Sequence, residues 1–334
     1  MNIEVLEANS HSEALVREWE ALLFRSRFQT PFLTPLWIEI WLKHFGRSLG
    51  AKIILFRAPE GALLAVGTFS TSMRNGGQQG LTLVGSTDVC DYRDLVIVSG
   101  REEEAFGVLG RFFREGPWAY LEFNGTSEFS PTAQFLPPLM QSFGFRVVQE
   151  VEEVALYLDL PPTWEMFLER LNSKDRHELR RKMRRMEREA SGEISGVEGS
   201  LALFREMEIF FDLHRKSRKD KAEFMSKEMH AFFQDISTRF QERGWLNLSF
   251  LKVGGKAVAA LFSFDFAGTE YVYNSGYDPE FARFSPGIVL AAHCIRRAID
   301  KGMASFNFLR GREDYKYHLG GKEEKIFRIR VIKE

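Results

Sequence analysis

The turn before one predicted helix carries residues suited to holding a phosphate. A predicted strand ends at Tyr277, and a helix begins near Ser285, with Pro286 at its first position and Gly287 behind it. The first amides of a helix lack helical acceptors and lie at its positive dipole end, Gly287 leaves room for a ligand, and Arg283 adds charge. The pattern predicts a pyrophosphate site, with an ordinary capped helix as the alternative. The residues assigned to the site are Arg283, Phe284, Ser285, Gly287 and Ile288.

A second polar group follows the next predicted strand. It consists of Arg310, Glu313, Tyr315 and Lys316, which lie in one short run of the sequence. These side chains can accept or donate protons and stabilise charge, so they are candidates for acid–base chemistry. The alternative is an exposed ion-pair cluster, which contributes little to stability.

Other candidates lie on neighbouring elements. His214 lies at the edge of the apolar face of a predicted helix, where a structural or solvated histidine is the alternative. Tyr273 and Tyr277 belong to the strand before the turn, where packing or a pocket wall is the alternative. The sequence shows no Ser-His-Asp or Cys-His-Asp arrangement, so covalent acyl-enzyme chemistry has no support. His293 and Cys294 are neighbours on a helix and point in different directions, which argues against a metal site.

One segment concentrates positive charge. Residues 170–188 contain nine basic and three acidic residues, whereas the whole chain has a formal net charge of −1. Helix formers and apolar residues at helical spacing predict an amphipathic helix, in which Asn172 or Ser173 can cap a break or restart near Lys174. The exposed face is either simply solvated or attracts anions beside an active site. A nucleic-acid helix is less favoured because the rest of the chain is acidic, and a membrane-surface helix lacks tryptophan anchors.

Composition bounds the class of protein. The chain has 334 residues, with 45 Lys and Arg against 46 Asp and Glu, a balance that argues against a DNA-binding protein. Two cysteines exclude a disulfide scaffold and a four-cysteine zinc site. We find neither a signal peptide nor a run of about 18 apolar residues, so we expect a soluble, cytoplasmic protein. The 31 phenylalanines require a large core or a large apolar pocket.

The predicted elements repeat one plan. Each half runs from helices to an antiparallel meander, then a helix, then further strands, which is an α+β arrangement used twice. In the second half we predict helices at 200–218, 226–243 and 286–301 and strands at 246–253, 256–267, 269–277, 305–308 and 325–331. The break at Pro161–Pro162 divides the chain into an expected first domain of residues 1–160 and a second of residues 161–334.

Two stretches carry a family resemblance. The first is YDPEFARFSPG at residues 277–287, and the second runs from Phe306 to Gly320 through FNFLRG and Glu313-Asp-Tyr-Lys316. Together they resemble the CelD-like, or BioF2-like, branch of the GNAT acyltransferase superfamily. The stretches at 31–46, 91–95 and 173–188 are also similar to that branch, although less specifically. The branch is related to Fem-type peptidoglycan aminoacyltransferases, which also have two GNAT-like halves.

The resemblance implies a tandem GNAT-like α+β fold, with two mixed sheets flanked by helices. The C-terminal half would keep the loop that binds the donor, and the N-terminal half would be a degenerate partner. Arg283–Gly287 looks like a form of the family's phosphate loop, in which Val289 fills the second glycine position. The implied activity moves an acyl group, expected to be acetyl, from acyl-CoA to an amine of a small molecule, amino sugar or polysaccharide precursor. No metal is implied.

Roles for the candidates follow from that chemistry. An amine attacks a thioester directly, so the donor must be positioned, the oxyanion stabilised and the amine deprotonated. We assign Lys316 to the carbonyl charge or the donor phosphate, Glu313 and His214 to the base, and Tyr315 to the acid that protonates the leaving thiolate. The expected substrate-binding residues are Tyr273, Tyr277, Arg310 and Arg218.

Two other functions stay open. A Fem-like transfer of an aminoacyl group from charged tRNA would use the basic helix on phosphates, but the sequence shows no long heptad helix pair for a Fem-type arm. The third hypothesis is a non-catalytic GNAT-like module that binds a partner in envelope or exopolysaccharide assembly.

Overall fold

The computed structural model describes residues 1–8, 12–74, 77–85, 88–196 and 200–333. The chain forms two compact units. Unit 1 contains Met1–Val154 and Glu324–Glu334, and unit 2 contains Ala155–Glu323. The chain passes between the units inside two long strands, β7 (Arg146–Asp159) and β13 (Lys322–Ile332).

Unit 1 is built on a mixed sheet. Its strands are β1 (Asn2–Glu7), β2 (Lys52–Arg57), β3 (Leu63–Arg74), β4 (Gln78–Leu83) and β6 (Tyr120–Ser127), followed in the sheet by β13, with the short β5 (Val96–Ile97) on β3. Neighbouring strands are antiparallel except β4 and β6, which pair in parallel between residues 80–82 and 120–122.

The helices that cover this sheet in the described part of unit 1 are α1 (Glu13–Leu23), α2 (Pro35–Phe45), α3 (Glu102–Glu115) and α4 (Pro131–Ser142). Their starts follow from local chemistry. The Thr34 side chain accepts a hydrogen bond from the Trp37 amide at the start of α2, and Ser130 does the same for Ala133 in α4. The core of the unit is rich in phenylalanine, with Phe56, Phe69, Phe106, Phe113 and Phe123 fully buried.

Unit 2 repeats the order of elements. After β7, its helices α5 (Trp164–Arg170), α6 (Ser173–Ala190), α7 (Ser200–Ser217), α8 (Lys219–Phe224) and α9 (Lys227–Glu242) precede the meander, with a short strand β8 (Glu193–Gly196) between α6 and α7. The meander is β9 (Leu246–Val253), β10 (Lys256–Phe266) and β11 (Thr269–Tyr277). Helix α10 (Pro286–Asp300), β12 (Ser305–Arg310) and α11 (Asp314–His318) follow.

The strand order in unit 2 is β7-β12-β11-β10-β9-β8. All neighbours are antiparallel except β11 and β12, which pair in parallel between residues 269–271 and 305–307. A bulge in β11 opposite Phe262 and Ser263 leaves Tyr273 without a ladder partner on β10. Beside this bulge lies an aromatic core that contains Phe210, Phe233, Phe262 and Phe264.

Most predicted elements of the second half are confirmed, with ends that are identical or differ by up to three residues. The basic segment forms two helices, α5 and α6, with a break at Leu171 and Asn172, where the sequence predicted the cap of a restarted helix. Asn172 is the cap: its side-chain oxygen accepts from the Asp175 amide at 2.9 Å. The expected tandem α+β architecture is also confirmed. The division at residue 160 into two domains of separate role stays a prediction, and the compact units place residues 324–334 with unit 1.

Candidate active site

A cavity lies where β11 and β12 stop pairing. The two strands are hydrogen-bonded only as far as Tyr271 and Asn307, although β11 continues to Tyr277 and β12 to Arg310. The free end of β11, at Ser275 and Tyr277, borders a cavity of about 360 Å³ together with Glu313 and Tyr315, which follow β12. A crevice at the carboxyl ends of parallel strands is the usual place for a ligand in sheets of this kind. The lining residues are Ser217, Arg218, Lys221, Leu261, Ser275, Tyr277, Ala282, Ser285, Pro286, Gly287, Ile288, Ala291, Glu313 and Tyr315.

The turn before α10 forms one wall of this cavity. Asp278 starts it: its carboxylate accepts from the Glu280 amide at 3.1 Å and pairs with Lys256 at 2.8 Å. A 3₁₀ turn over Pro279–Phe284 follows and ends at Ser285, whose backbone is left-handed (φ 52°, ψ 51°). A left-handed serine is uncommon and strained, so the fold holds this residue in place.

Ser285 begins α10, but its side chain does not cap the helix. Ser285 is the N-cap residue at the predicted position, but it makes no capping hydrogen bond, because its left-handed backbone replaces the extended conformation that capping serines adopt. The Ser285 carbonyl accepts from the Ile288 and Val289 amides, each at 3.1 Å. The Gly287 amide belongs to the first turn, where no helical carbonyl is available to accept it.

Gly287 opens onto the cavity. A Cβ placed on it would meet no atom within 4 Å, so packing inside the protein does not require glycine at this position. The first turn of α10 also contains no acidic residue. These features suit the close approach of an anion to the helix start.

Arg283 and Phe284 do not line the cavity. The Arg283 guanidinium lies 4.5 Å from the centre of the Phe284 ring, and the guanidinium of Arg185 from α6 lies 5.5 Å from it. Arg185 also donates to the Arg283 carbonyl at 3.0 Å. Phe284 is therefore a buried packing residue, and the basic helix α6 contacts the turn directly.

The structure brings seven of the sequence-based candidates together in the cavity wall. They are Ser285, Gly287 and Ile288 of the predicted donor loop with Arg218, Tyr277, Glu313 and Tyr315. Arg218 forms an exposed ion pair with Asp220 at 2.6 Å, which raises the pKa of the guanidinium further.

Lys316 is buried against the backbone rather than in the cavity wall. Its Nζ donates to the carbonyls of Leu309, Arg310 and Gly311 at 3.3, 2.7 and 3.2 Å and pairs with Glu313 at 2.8 Å. An ammonium has three protons, and these acceptors engage all of them. The geometry makes Lys316 the residue that holds the end of β12, which departs from the expected contact with the donor.

Glu313 and Tyr315 differ in protonation. Burial raises the pKa of Glu313, but the charge and hydrogen bond of Lys316 outweigh it, so the net pKa is lowered and the carboxylate is ionised. Burial, with a smaller effect of Glu313, raises the pKa of the Tyr315 phenol, which therefore keeps its proton at neutral pH. Tyr315 can donate a proton or hydrogen bond in this cavity, whereas Glu313 is a weak base.

Three candidates lie elsewhere. His214 is buried beside Phe210 and Phe224, and burial lowers its pKa to about 3, so it is neutral. Tyr273 packs its ring against Phe233, at 5.3 Å between ring centres. Neither residue lines the cavity, and neither does Arg310, whose carbonyl accepts from Lys316.

Sequence reasoning missed two residues of this region. Lys221 lines the cavity and donates from Nζ to the Ser275 carbonyl, but its sequence context is a run of charged residues that hides it. Gly276 on β11 faces α7: a Cβ on it would lie 2.4 Å from the His214 amide nitrogen, so only glycine fits. The glycine inside a strand was the available signal for such a close approach.

Among the residues with described positions, no group of three or more His, Cys, Asp or Glu side chains could hold a metal ion. Within the same ranges, no helix has the length and apolar character needed to cross a bilayer.

Comparison with known proteins identifies the class. Residues 173–317 match the model of the acetyltransferase (GNAT) domain. Among solved structures, FemX aligns with a TM-score of 0.68 at 11% identity over 100% of this chain and 98% of its own. A tandem GNAT protein from the clavulanic acid biosynthesis pathway has a TM-score of 0.52 at 12% identity, over 100% and 99%. L-PGS from Bacillus licheniformis has 0.53 at 14%, over 94% and 90%. A search of curated proteins found no significant match.

The family model assigns a GNAT acetyltransferase domain to part of the chain, and the fold of the whole chain is the one seen in FemX and in the tandem GNAT protein. Residues 173–317, which supply the meander, the turn and α10, are its GNAT acetyltransferase domain. The superfamily, the fold and the acyltransferase class expected from the sequence are confirmed. The CelD-like branch, the cytoplasmic location and the individual site residues stay predictions.

Proposed function

We propose that the protein transfers an acyl group from acyl-CoA to an amine in the cavity at the ends of β11 and β12. The pyrophosphate of the donor would lie at the start of α10, against the first-turn amides and Gly287. The thioester would enter between the unpaired strand ends. The acceptor is an amine of a small molecule, an amino sugar or a polysaccharide precursor.

The residues in the cavity wall suit this reaction. Transfer needs an amine to attack the thioester carbonyl and a proton to reach the leaving thiolate. The phenol of Tyr315 keeps its proton at neutral pH, so it can supply that proton. The proton that the attacking nitrogen releases then restores the phenol. Glu313 is ionised and can attract the acceptor ammonium, which orients the amine. The coenzyme supplies the activated thioester itself, and no metal is needed for direct aminolysis.

One observation carries the proposal: a helix start with an open glycine and no first-turn acid borders a 360 Å³ cavity that also contains ionisable side chains. Any one of these features is common in proteins. Their combination at the carboxyl end of a parallel strand pair, inside a matched GNAT domain, supports an acyl-CoA site.

The test is thermal unfolding with acetyl-CoA. A ligand present at about a hundred times its Kd stabilises a protein by about 2.7 kcal/mol, which corresponds to a rise of several degrees in Tm. We expect this rise for the wild-type chain and a much smaller one for Gly287→Ala, because the added methyl group occupies the space that the phosphate needs.

A matched control is Gly107→Ala in α3. Gly107, like Gly287, is a helical glycine whose Cβ would meet nothing within 4 Å. Both substitutions should slightly stabilise their helices, since alanine is a better helix former than glycine. Equal acetyl-CoA shifts in the two variants would refute the placement of the phosphate, and no shift in the wild-type chain would refute the donor.

A Fem-like transfer from charged tRNA is the second candidate. The specific observation in its favour is the contact of α6 with the turn through Arg185, since α6 carries further exposed arginines at 180, 184 and 188. If tRNA is the donor, its binding should weaken steeply as salt rises, and Arg180→Ala with Arg184→Ala should reduce the slope by about two units. Binding of acetyl-CoA without measurable tRNA binding would reject this candidate.

A further inference from the structure

Lys221 is a lysine on the wall of the candidate donor cavity. It belongs to α8, and its Nζ donates to the Ser275 carbonyl on β11, beyond the last residue that pairs with β12. Its nitrogen therefore lies at the edge of β11 that the cavity leaves open. Gly287 and Tyr315 line the same cavity, so an acyl group that reaches Tyr315 comes close to this nitrogen.

The surroundings of Lys221 disfavour its charge. Burial is the main cause that lowers its pKa to about 8, followed by the Arg218 charge, with a smaller effect of Lys316. Glu313 and Asp220 act in the opposite direction and are outweighed. From α7, His214 adds no charge because it is neutral. At pH 7 roughly a tenth of Lys221 is the neutral amine, a fraction on the order of a hundredfold above that of an ordinary lysine.

We propose that Lys221 is a modification site: when an acyl thioester is bound and no acceptor amine is present, its Nζ takes the acyl group. This inference rests on the proposed donor. It adds an event in which the acyl group ends on the protein itself rather than on a separate acceptor.

The reaction balances without a further reagent. The neutral Nζ attacks the thioester carbonyl carbon, a C–N bond forms, and the C–S bond breaks. Coenzyme A leaves as the thiolate and takes the proton that the nitrogen releases. The product is a neutral amide that no longer attracts Glu313 and that fills part of the cavity. Acylation therefore closes the site to acceptors, and a bound acceptor protects Lys221 by competing for the same carbonyl.

The chain contains an internal control for this chemistry. Lys219 lies two positions away on the same helix, with its side chain 92% exposed and 4.0 Å from Glu223. Both lysines meet the same reagent in one sample. We expect mass spectrometry of peptides from the full chain, incubated with acetyl-CoA, to show acetylation at Lys221 up to a hundredfold faster than at Lys219. The Lys221 rate should rise with pH and level off above about pH 8.

Two further measurements separate this inference from the proposed function. Lys221→Arg should abolish the fast acetylation, and Lys219→Arg should leave it unchanged. If acetyl-CoA raises the Tm of the wild-type chain but Lys221 reacts no faster than Lys219, the inference is wrong and the proposed function stands. If acetyl-CoA neither binds nor acetylates the wild-type chain, both are wrong. These readouts use the wild-type chain, so they hold even where the arginine variant fails to fold.

Discussion

The region beyond the parallel strand pair is filled in unit 1 and open in unit 2. In unit 1, β4 and β6 pair over residues 80–82 and 120–122, and in unit 2, β11 and β12 pair over an equally short stretch. Beyond the pairing, unit 1 places a chain segment on the free edge of β6: the Arg93 amide donates to the Gly125 carbonyl at 3.0 Å. The cavity beside this segment measures about 20 Å³, against 360 Å³ in unit 2.

Side chains also fill the region beside the end of the parallel strand pair in unit 1. Tyr92 is buried and donates from its hydroxyl to Glu324 at 2.9 Å, and Ser127 donates to the other oxygen of the same carboxylate. In unit 2 the corresponding free carbonyls accept instead from the ammonium groups of Lys221 and Lys316. A lysine satisfies a carbonyl with one flexible side chain, so the space between the strand ends stays open.

The helix that follows each meander shows the same contrast. Helix α3 begins with Glu102, Glu103 and Glu104, whereas the first turn of α10 has no acid. Carboxylates at a helix start satisfy its dipole from within the protein and repel a phosphate. Two units with one order of elements therefore differ in cavity volume and in first-turn charge at equivalent places, as the proposed donor site in unit 2 requires.

The largest expected effect on stability comes from removing the buried ring of Tyr92 in unit 1. Tyr92→Ala should lower the free energy of unfolding by about 4 kcal/mol, because it removes a large buried ring and leaves a cavity. Tyr92→Phe keeps the ring and should cost only about 1–2 kcal/mol for the lost hydrogen bond to Glu324. Urea unfolding measures both. Because α3 keeps its acids, Tyr92→Ala should gain no acetyl-CoA binding in unit 1; a new binding event there would break the comparison.

A pH effect of up to about 3 kcal/mol is expected from Glu324, since burial raises its pKa to about 7. The folded state holds this proton up to about pH 7, whereas the unfolded chain releases it near pH 4.5. The contribution of Glu324 to the free energy of unfolding is therefore most favourable at low pH, and it falls as the pH rises from about 4.5 to 7. Glu324→Gln should be more stable than the wild-type chain at pH 8 and lose that advantage at pH 5. If the free energies of unfolding of the two chains differ by the same amount at pH 5 and pH 8, the pKa of Glu324 is not raised by burial.

Transferring the acidic first turn of α3 to α10 tests the second contrast. Gly287→Glu should weaken acetyl-CoA binding at least tenfold, which is about 1.4 kcal/mol, through charge repulsion and occupied space. Its Tm without ligand should change little, because an acid at a helix start is favourable. Calorimetric titration measures the affinity, with Gly287→Ala as the uncharged control. An unchanged affinity would mean that the phosphate lies elsewhere.

The smallest effect concerns the left-handed serines. Ser285→Gly should raise the free energy of unfolding by up to about 1 kcal/mol, since glycine adopts φ 52° without steric cost. Ser191→Gly is the matched control, because Ser191 also has a positive φ of 46° but lies at the end of α6, outside the cavity. Similar stability gains, with altered acetyl-CoA affinity in Ser285→Gly alone, would assign the serine hydroxyl to the ligand. Identical affinities in both variants would confine Ser285 to a backbone role.

The sequence predicted the elements of unit 2 well because their patterns are strong. The strands within residues 246–277 are separated by turns that contain glycine, and Pro286 marks the start of α10. Helix α4 was not predicted, because Pro137 and Pro138 lie inside it and proline normally ends a helix. Tertiary contacts of its buried face, including Leu136 and Met140, override that rule.

The candidate site was predictable as a location but not residue by residue. The helix start and the run after β12 are local patterns, and they do lie on one cavity. Lys316 and Phe284 could not be placed, because their partners are backbone carbonyls and a guanidinium from α6 that no spacing reveals. The role of Lys221 depends on burial by elements distant in sequence, so its lowered pKa has no local signature.

The return of the chain to unit 1 at Glu324 has a consequence for the order of folding. Strand β13 pairs with β6 through Ile329 and Val331, which belong to the core of unit 1. The ribosome synthesises these residues after the whole of unit 2. Unit 1 therefore stays incomplete, with an open sheet edge, while unit 2 is synthesised. Unit 2 is contiguous and can fold first, although it is synthesised second. A nascent chain halted near residue 160 should therefore be protease-sensitive and prone to aggregate, despite containing most of unit 1.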